Sequence, residues 1–225
     1  MRSTGLVAAA LVLAVAAGCN KGASNASSSA GSTGSAVGTT GTSANALSGS
    51  DRDFVRDIIT RNAAEIELGK LAGEKSPSSD VKQFAQEMVG EHNSAADKVQ
   101  SFAVQHAVEA PTELDDRHRD AREKLAGKQG LDFDKAYADT MVDEHEALLD
   151  KLESHIDKDA LSRAKTEAKN SGAAKIDAAA VIPEKSDDPN RFAVNQLAAD
   201  LYPTVYAHLE AAKTLRDAVK KRATD

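Results

Sequence analysis

Two short stretches decide how this chain folds: Met-Val-Gly-Glu-His at residues 88–92 and Met-Val-Asp-Glu-His at residues 141–145. Around the first, Val81, Phe84, Ala85, Met88, His92, Ala95, Val99 and Phe102 recur at steps of three and four. Around the second, Tyr137, Met141, His145, Leu148 and Leu152 do the same. This period marks one face of an α-helix, and the apolar face is the one that packs on a core. Both histidines therefore fall among the apolar residues. An imidazole placed there needs partners, because an unpaired buried polar group costs about 1–3 kcal/mol.

Two further segments carry the same pattern. Toward the N-terminus, Phe54, Ile58, Asn62, Glu65, Gly69 and Ala72 share a stripe on a helix predicted from Ser50 or Asp51 to about Gly73. A turn with Pro77 follows, and Ser78 or Ser79 caps the helix that carries His92, over about residues 80–106. After Pro111 comes a short, highly charged helix over about 112–126, read as a solvated crossover. The helix with His145 runs from about Asp132 to at least His155. Residues 157–170 either prolong it or form a separate polar helix, and 171–190 read as a long loop with Gly172, Pro183 and Pro189. The last helix, about 191–222, has the stripe Leu197, Leu201, Val205, His208, Ala212 and Leu215, and Pro203 inside it should kink or restart it. His106, His118 and His155 lie near helix ends or on charged helices and are expected in solvent.

Composition divides the 225 residues. The first 50 hold eight of the 14 glycines and no Asp or Glu. The rest carries 28 − 2 = 26 Lys and Arg against 35 acids, a net charge of −9. Such acidity argues against nucleic acid, whose binding depends on cations that neutralise phosphates. Few aromatics and no Trp suit helices better than a sheet. The single cysteine, Cys19, leaves no intramolecular disulfide and no cysteine-based metal cluster.

Residues 1–19 read as an export signal: Arg2, an apolar run from Leu6 to Ala17, then Ala16-Ala17-Gly18-Cys19. This ending resembles the bacterial lipobox, although Ala16 stands where Leu is usual. The resemblance implies lipidation of Cys19 and anchorage to a membrane without a spanning segment. Asn20 rather than Asp after the cysteine favours the outer membrane, by resemblance to lipoprotein sorting. The alternative is an ordinary secreted protein cut after Ala16 or Ala17. Residues 20–50, nearly all Gly, Ser, Ala, Thr and Asn, are expected to be a disordered tether with a reach of roughly 30 Å. The folded domain is then 51–225.

Four long amphipathic helices and one short one suggest an all-α four-helix bundle. The segments AAEIELGKLAGEKS (63–76), VKQFAQEMVGEHNSAADKVQSFA (81–103), LDFDKAYADTMVDEHEALLDKLE (131–153) and LYPTVYAHLEAAKTL (201–215) resemble, in that order, a bacterial envelope family. It is catalogued as domain-of-unknown-function family 4142 and labelled as outer-membrane proteins. The resemblance spans about residues 51–215 and implies a ferritin-like bundle in the periplasm or outer membrane. It implies no activity. Residues 157–190 depart from the family's pattern.

Glu65, His92, His145 and His208 stand one per helix, each on a buried stripe. Two chemistries suit such a set. One is a hydrogen-bonded polar network that fixes helix register. The other is a transition-metal site, since inward carboxylates and imidazoles are how bundles hold Fe, Mn, Zn or Cu. Met88 and Met141, each four residues before a histidine, add thioethers suited to Cu(I). The di-iron signature, Glu three residues before His, is missing: Val89 and Val142 occupy those positions. No hydrolase elbow, phosphate loop or His-Glu-x-x-His pair asks for an enzyme. The chain reads as an exported, lipid-anchored binding or structural module, with a metal-binding or redox bundle as the alternative. Its expected partners are the membrane, through the anchor, and an envelope protein.

Overall fold

A computed structural model describes residues 46–224. The expected signal segment, Cys19 and the expected tether as far as residue 45 lie outside the described residues. Among those described the chain is all-α, and no helix is long and apolar enough to cross a membrane.

Six helices follow in order: α1 (Gly49–Lys75), α2 (Ser79–Gln105), α3 (Asp116–Ala126), α4 (Gly130–Glu153), α5 (Lys158–Ser171) and α6 (Pro189–Arg222). Side chains start most of them. Ser48, Ser78, Asp115, Asp157 and Asp188 each accept a backbone N–H from the first turn of the helix that follows. This satisfies donors that a helix start leaves unpaired. Gly172 ends α5 in the left-handed region at φ 65°, where a side chain would be strained.

The predicted helices are all present, with ends shifted by at most four residues. The crossover helix begins at Asp116 because Asp115 supplies its cap. Residues 158–171 form a separate helix, set off from α4 by a break at 154–157. Pro203 does not restart the last helix: α6 continues through it for 34 residues. Burial of Ala198, Ala199, Tyr202, Val205 and His208 on either side holds the segment helical despite the lost N–H.

The long helices pack as two main pairs, α1 with α2 and α4 with α6, joined by α1 on α4 and α2 on α6. Gly69 sets the α1–α2 approach. A Cβ there would stand 2.7 Å from Val89 Cγ2 and 3.2 Å from the Ala85 carbonyl oxygen. The core between the helices includes Leu68, Val81, Phe133, Tyr137, Met141 and Tyr202.

The connection from α5 to α6 holds one 3-10 turn, Ala178–Ala180, and is pinned to the end of α4. Asp157 N–H donates to the Ile182 carbonyl (2.8 Å), and Glu184 N–H donates to the His155 carbonyl (2.9 Å). Asn195 completes the seam by donating to the Glu184 carbonyl and facing His155 Nδ1 at 2.9 Å. His155 is thus buried, contrary to the sequence expectation, with its ring 3.9 Å from that of Phe54. His118 is also buried, not solvated: it faces Asp115 Oδ1 at 2.6 Å and packs beside Glu144. Both sit near helix ends, but those ends are docked. His106, half-buried, stacks on Phe102 at 4.3 Å.

Candidate metal centre

Glu65, His92, His145 and His208 meet in the core, contributed by α1, α2, α4 and α6 in turn. All four are at least 95% buried, and Glu65 and His145 essentially completely. The three rings lie 5.2 to 5.8 Å apart, centre to centre. One nitrogen from each of the three falls within 4.8 Å of the other two. Glu65 Oε2 is 3.0 Å from His92 Nε2 and 3.2 Å from His145 Nε2.

The outer nitrogen of every ring is held by a different acceptor. His92 Nδ1 faces Asn62 Oδ1 at 2.9 Å, while the Asn62 amide donates to the His92 carbonyl at 2.8 Å, which fixes which way the amide points. His145 Nδ1 faces the Met141 carbonyl at 2.7 Å. His208 Nε2 faces Glu91 Oε2 at 2.5 Å. Each partner atom can only accept, so each outer nitrogen carries the hydrogen. In the neutral ring the other nitrogen then offers a lone pair, and in His92 and His145 that nitrogen is the one beside Glu65 Oε2.

Helix geometry explains the arrangement. Asn62 and Glu65 are three apart and share a face of α1. Glu91 and His92 are neighbours, about 100° apart on α2. His92 can therefore face the centre while Glu91 reaches toward α6 and takes His208. The angle that removes Glu91 from a di-iron pattern is the one that makes it an orienting partner.

The converging atoms are short of hydrogen-bond partners. His92 Nε2, His145 Nε2, His208 Nδ1 and both oxygens of Glu65 are buried without one. The approaches to Glu65 have ion-pair distance but not the alignment of a hydrogen bond. Either protons or a cation must stand between lone pairs so placed. Burial pushes the Glu65 carboxyl up, but His145 and His92 outweigh it and bring it down to about 2. Burial lowers His92, and the Glu65 carboxylate beside it more than reverses this, so its affinity for a proton is raised. His208 is lowered, by burial and by the other two histidines, against the pull of Glu91.

Of the predicted ligands, Glu65, His92, His145 and His208 lie together here. Met88 and Met141 are buried in the apolar core, and Met141 also supplies the carbonyl that orients His145. The sequence marked Asn62 as a polar residue at the buried face but gave it no role. Glu91 was missed because its acceptor role needs α6 beside α2, a relation no local pattern carries.

A second cluster, buried at Arg61, His118 and Glu144 and open to solvent at Arg117, ties α3 to α1 and α4. Glu144 accepts from Arg61 Nη1 (3.0 Å) and from both terminal nitrogens of Arg117 (3.0 and 3.1 Å). Here every charge has a partner, in contrast to the centre.

No curated protein and no solved structure matches this chain. Residues 36–171 match the family described as Domain of unknown function (DUF4142). The matched stretch holds Glu65, His92 and His145 and stops at the end of α5, so α6 and His208 lie beyond it. Covering well over half of the residues, and α1 to α5 among the helices, the match makes this chain a member of the DUF4142 family.

Proposed function

We propose that the protein binds a divalent transition-metal ion through Glu65, His92, His145 and His208, as an exported envelope protein anchored at Cys19. The observation that carries this reading is the set of three buried imidazoles, each with its outer nitrogen tied and one nitrogen within 4.8 Å of the other two, beside a buried carboxylate. Metal-ligating histidines are oriented by such outer hydrogen bonds. Charge agrees as well. A divalent ion with neutral histidines, Glu65 and Glu91 sums to zero, whereas filling the same gaps with protons would gather several positive charges in the core.

Three nitrogens and one carboxylate suit Zn, Fe, Mn or Co. Ligand atoms on one ion with bonds of about 2.1 Å stand about 3.4 Å apart, so the three histidine nitrogens, within 4.8 Å of one another, close onto an ion by side-chain shifts of about an ångström. The nitrogen and oxygen donor set is complete without the soft Met88 and Met141 thioethers, which favours these ions over Cu(I).

The competing reading is a proton-filled polar network, favoured by the 3.0 Å approach of His92 to Glu65. One proton there pairs two of the five unpartnered atoms and leaves the rest.

Elemental analysis of the full chain, purified without a polyhistidine tag, separates the readings. Close to one ion per chain is expected, with loss of that ion in His145→Ala and in Glu65→Gln. A parent that retains none after exposure to Fe, Mn, Zn and Co sinks the metal reading and leaves the network.

A further inference from the structure

We propose that the cavity between α2 and α6 is the route by which the ion reaches and leaves the centre, with Glu91 receiving it at the mouth and the His208 ring swinging aside to admit it. This rests on the metal reading above and adds how that closed site is loaded. Glu65 and His145 are essentially fully buried, so no ion reaches them from solvent unless the protein moves. A cavity of about 230 Å³ has the other two ligands, His92 and His208, in its wall. Their inner nitrogens are buried, so the cavity ends at the rings and one of them must turn.

Of the two, His208 is the ring more easily released. His92 Nδ1 is held by Asn62, which is buried and bonded to α2 a second time through the His92 carbonyl. His208 Nε2 is held by Glu91, whose side chain is 56% exposed. A divalent cation that binds the Glu91 carboxylate competes with the ring for it, and so frees the ring as it arrives. Asp200, exposed on α6, brings a second carboxylate to the mouth against one lysine, Lys98, a balance that favours cations. At about 30 Å³ per water, the cavity has room for an ion with most of its water shell. The α6 side of the wall is also the weak turn of that helix. Asp200, Leu201, Thr204, Val205 and His208 all lie within five residues of Pro203, which has no N–H to give the Ala199 carbonyl. A turn short of one hydrogen bond opens locally at lower cost than its neighbours.

Cobalt makes loading visible, because its absorption bands change as protein ligands replace water. Metal-free full chain is mixed rapidly with cobalt, and the loaded chain is then mixed with EDTA. Ala95→Phe and Thr204→Tyr narrow the cavity from α2 and α6 at positions that are not ligands. Each should reach the parent's final spectrum and equilibrium affinity, with uptake and release both slowed about tenfold or more. Two variants on different helices keep the test open if one fails to fold. Release from the parent should depend only weakly on urea below the unfolding transition, since a turning side chain exposes little surface.

The proposal is overturned if both variants take up cobalt at the parent's rate. It is also overturned if release from the parent rises with urea as steeply as global unfolding does, because the ion then leaves only when the bundle opens. In either case the metal reading stands. No cobalt at all would defeat the metal reading, and this proposal with it.

Discussion

Asn62 and Glu91 are the residues on which the centre's chemistry turns, although neither faces it. Each ties the outer nitrogen of one histidine, so each decides where that ring's lone pair points. Losing such an orienting partner costs about 10–100-fold in metal affinity. Asn62→Ala and Glu91→Gln should each weaken binding by about tenfold or more, measured by competition against a chromophoric chelator. Unchanged affinity in both would mean that the rings are held by packing alone. Glu91 is half exposed, so its effect belongs at the lower end. The pH dependence has a definite sign. A proton on an inner nitrogen excludes the ion, and His92 holds its proton above the usual 6.5. Glu65, brought down to about 2, stays ionised throughout. The ion is therefore held at alkaline pH, and affinity falls as pH drops into and below the histidine range. Affinity that rises on acidification would be incompatible with histidine ligands.

Among the elements, α3 is held by Leu125 in the core, by Lys75 on its last carbonyl and by the charges around Glu144. Glu144 on α4 joins Arg61 on α1 to Arg117 and His118 on α3. Burial pushes its carboxyl up, but His118 and Arg117 bring it below the usual 4.5. A depressed carboxyl stabilises the fold above its unfolded value, and that contribution is lost as pH falls through the folded one. Hydrogen exchange should then show α3 amides exposed below about pH 4.5, ahead of α1 and α4. Glu144→Ala should loosen α3 at neutral pH and cost about 1–2 kcal/mol, well below the roughly 3–5 kcal/mol of a fully buried pair, because Arg117 is half exposed and Asp57 still holds Arg61. Uniform exchange across all helices in this variant would refute the clamp. The helices themselves were legible in the sequence, since apolar residues at three and four steps impose one buried face. His118 and His155 were misread for the matching reason. His118 sits among charged residues and His155 where the helical pattern ends, and their cover comes from Glu144 and Asn195, 26 and 40 positions away.

The whole molecule carries its centre where all four long helices contribute, so an ion there should tie them together. Binding to the folded chain alone adds about 2.7 kcal/mol at a hundredfold excess over Kd. For a domain of this size that raises Tm by roughly 5–10 °C. His145→Ala should keep its helices and lose this response, as read by circular dichroism during heating. The sequence placed one polar residue on each helix but could not say whether they share a height. Height depends on how α1, α2, α4 and α6 are offset along their axes, and loops set that offset. Gly69 illustrates the limit. Its period marks it as buried, but the contact with Val89 that requires it exists only once α2 lies against α1.

The most direct measurement of the central claim is X-ray absorption at the edge of the metal bound to the full chain. The account predicts a first shell of nitrogen and oxygen at about 2.0–2.2 Å, with outer scattering from about three imidazoles and no sulfur. A sulfur shell near 2.3 Å would assign the ion to the methionines or to Cys19. An oxygen-only shell without imidazole scattering would place it on the acidic surface. Either result would contradict a centre built from His92, His145 and His208.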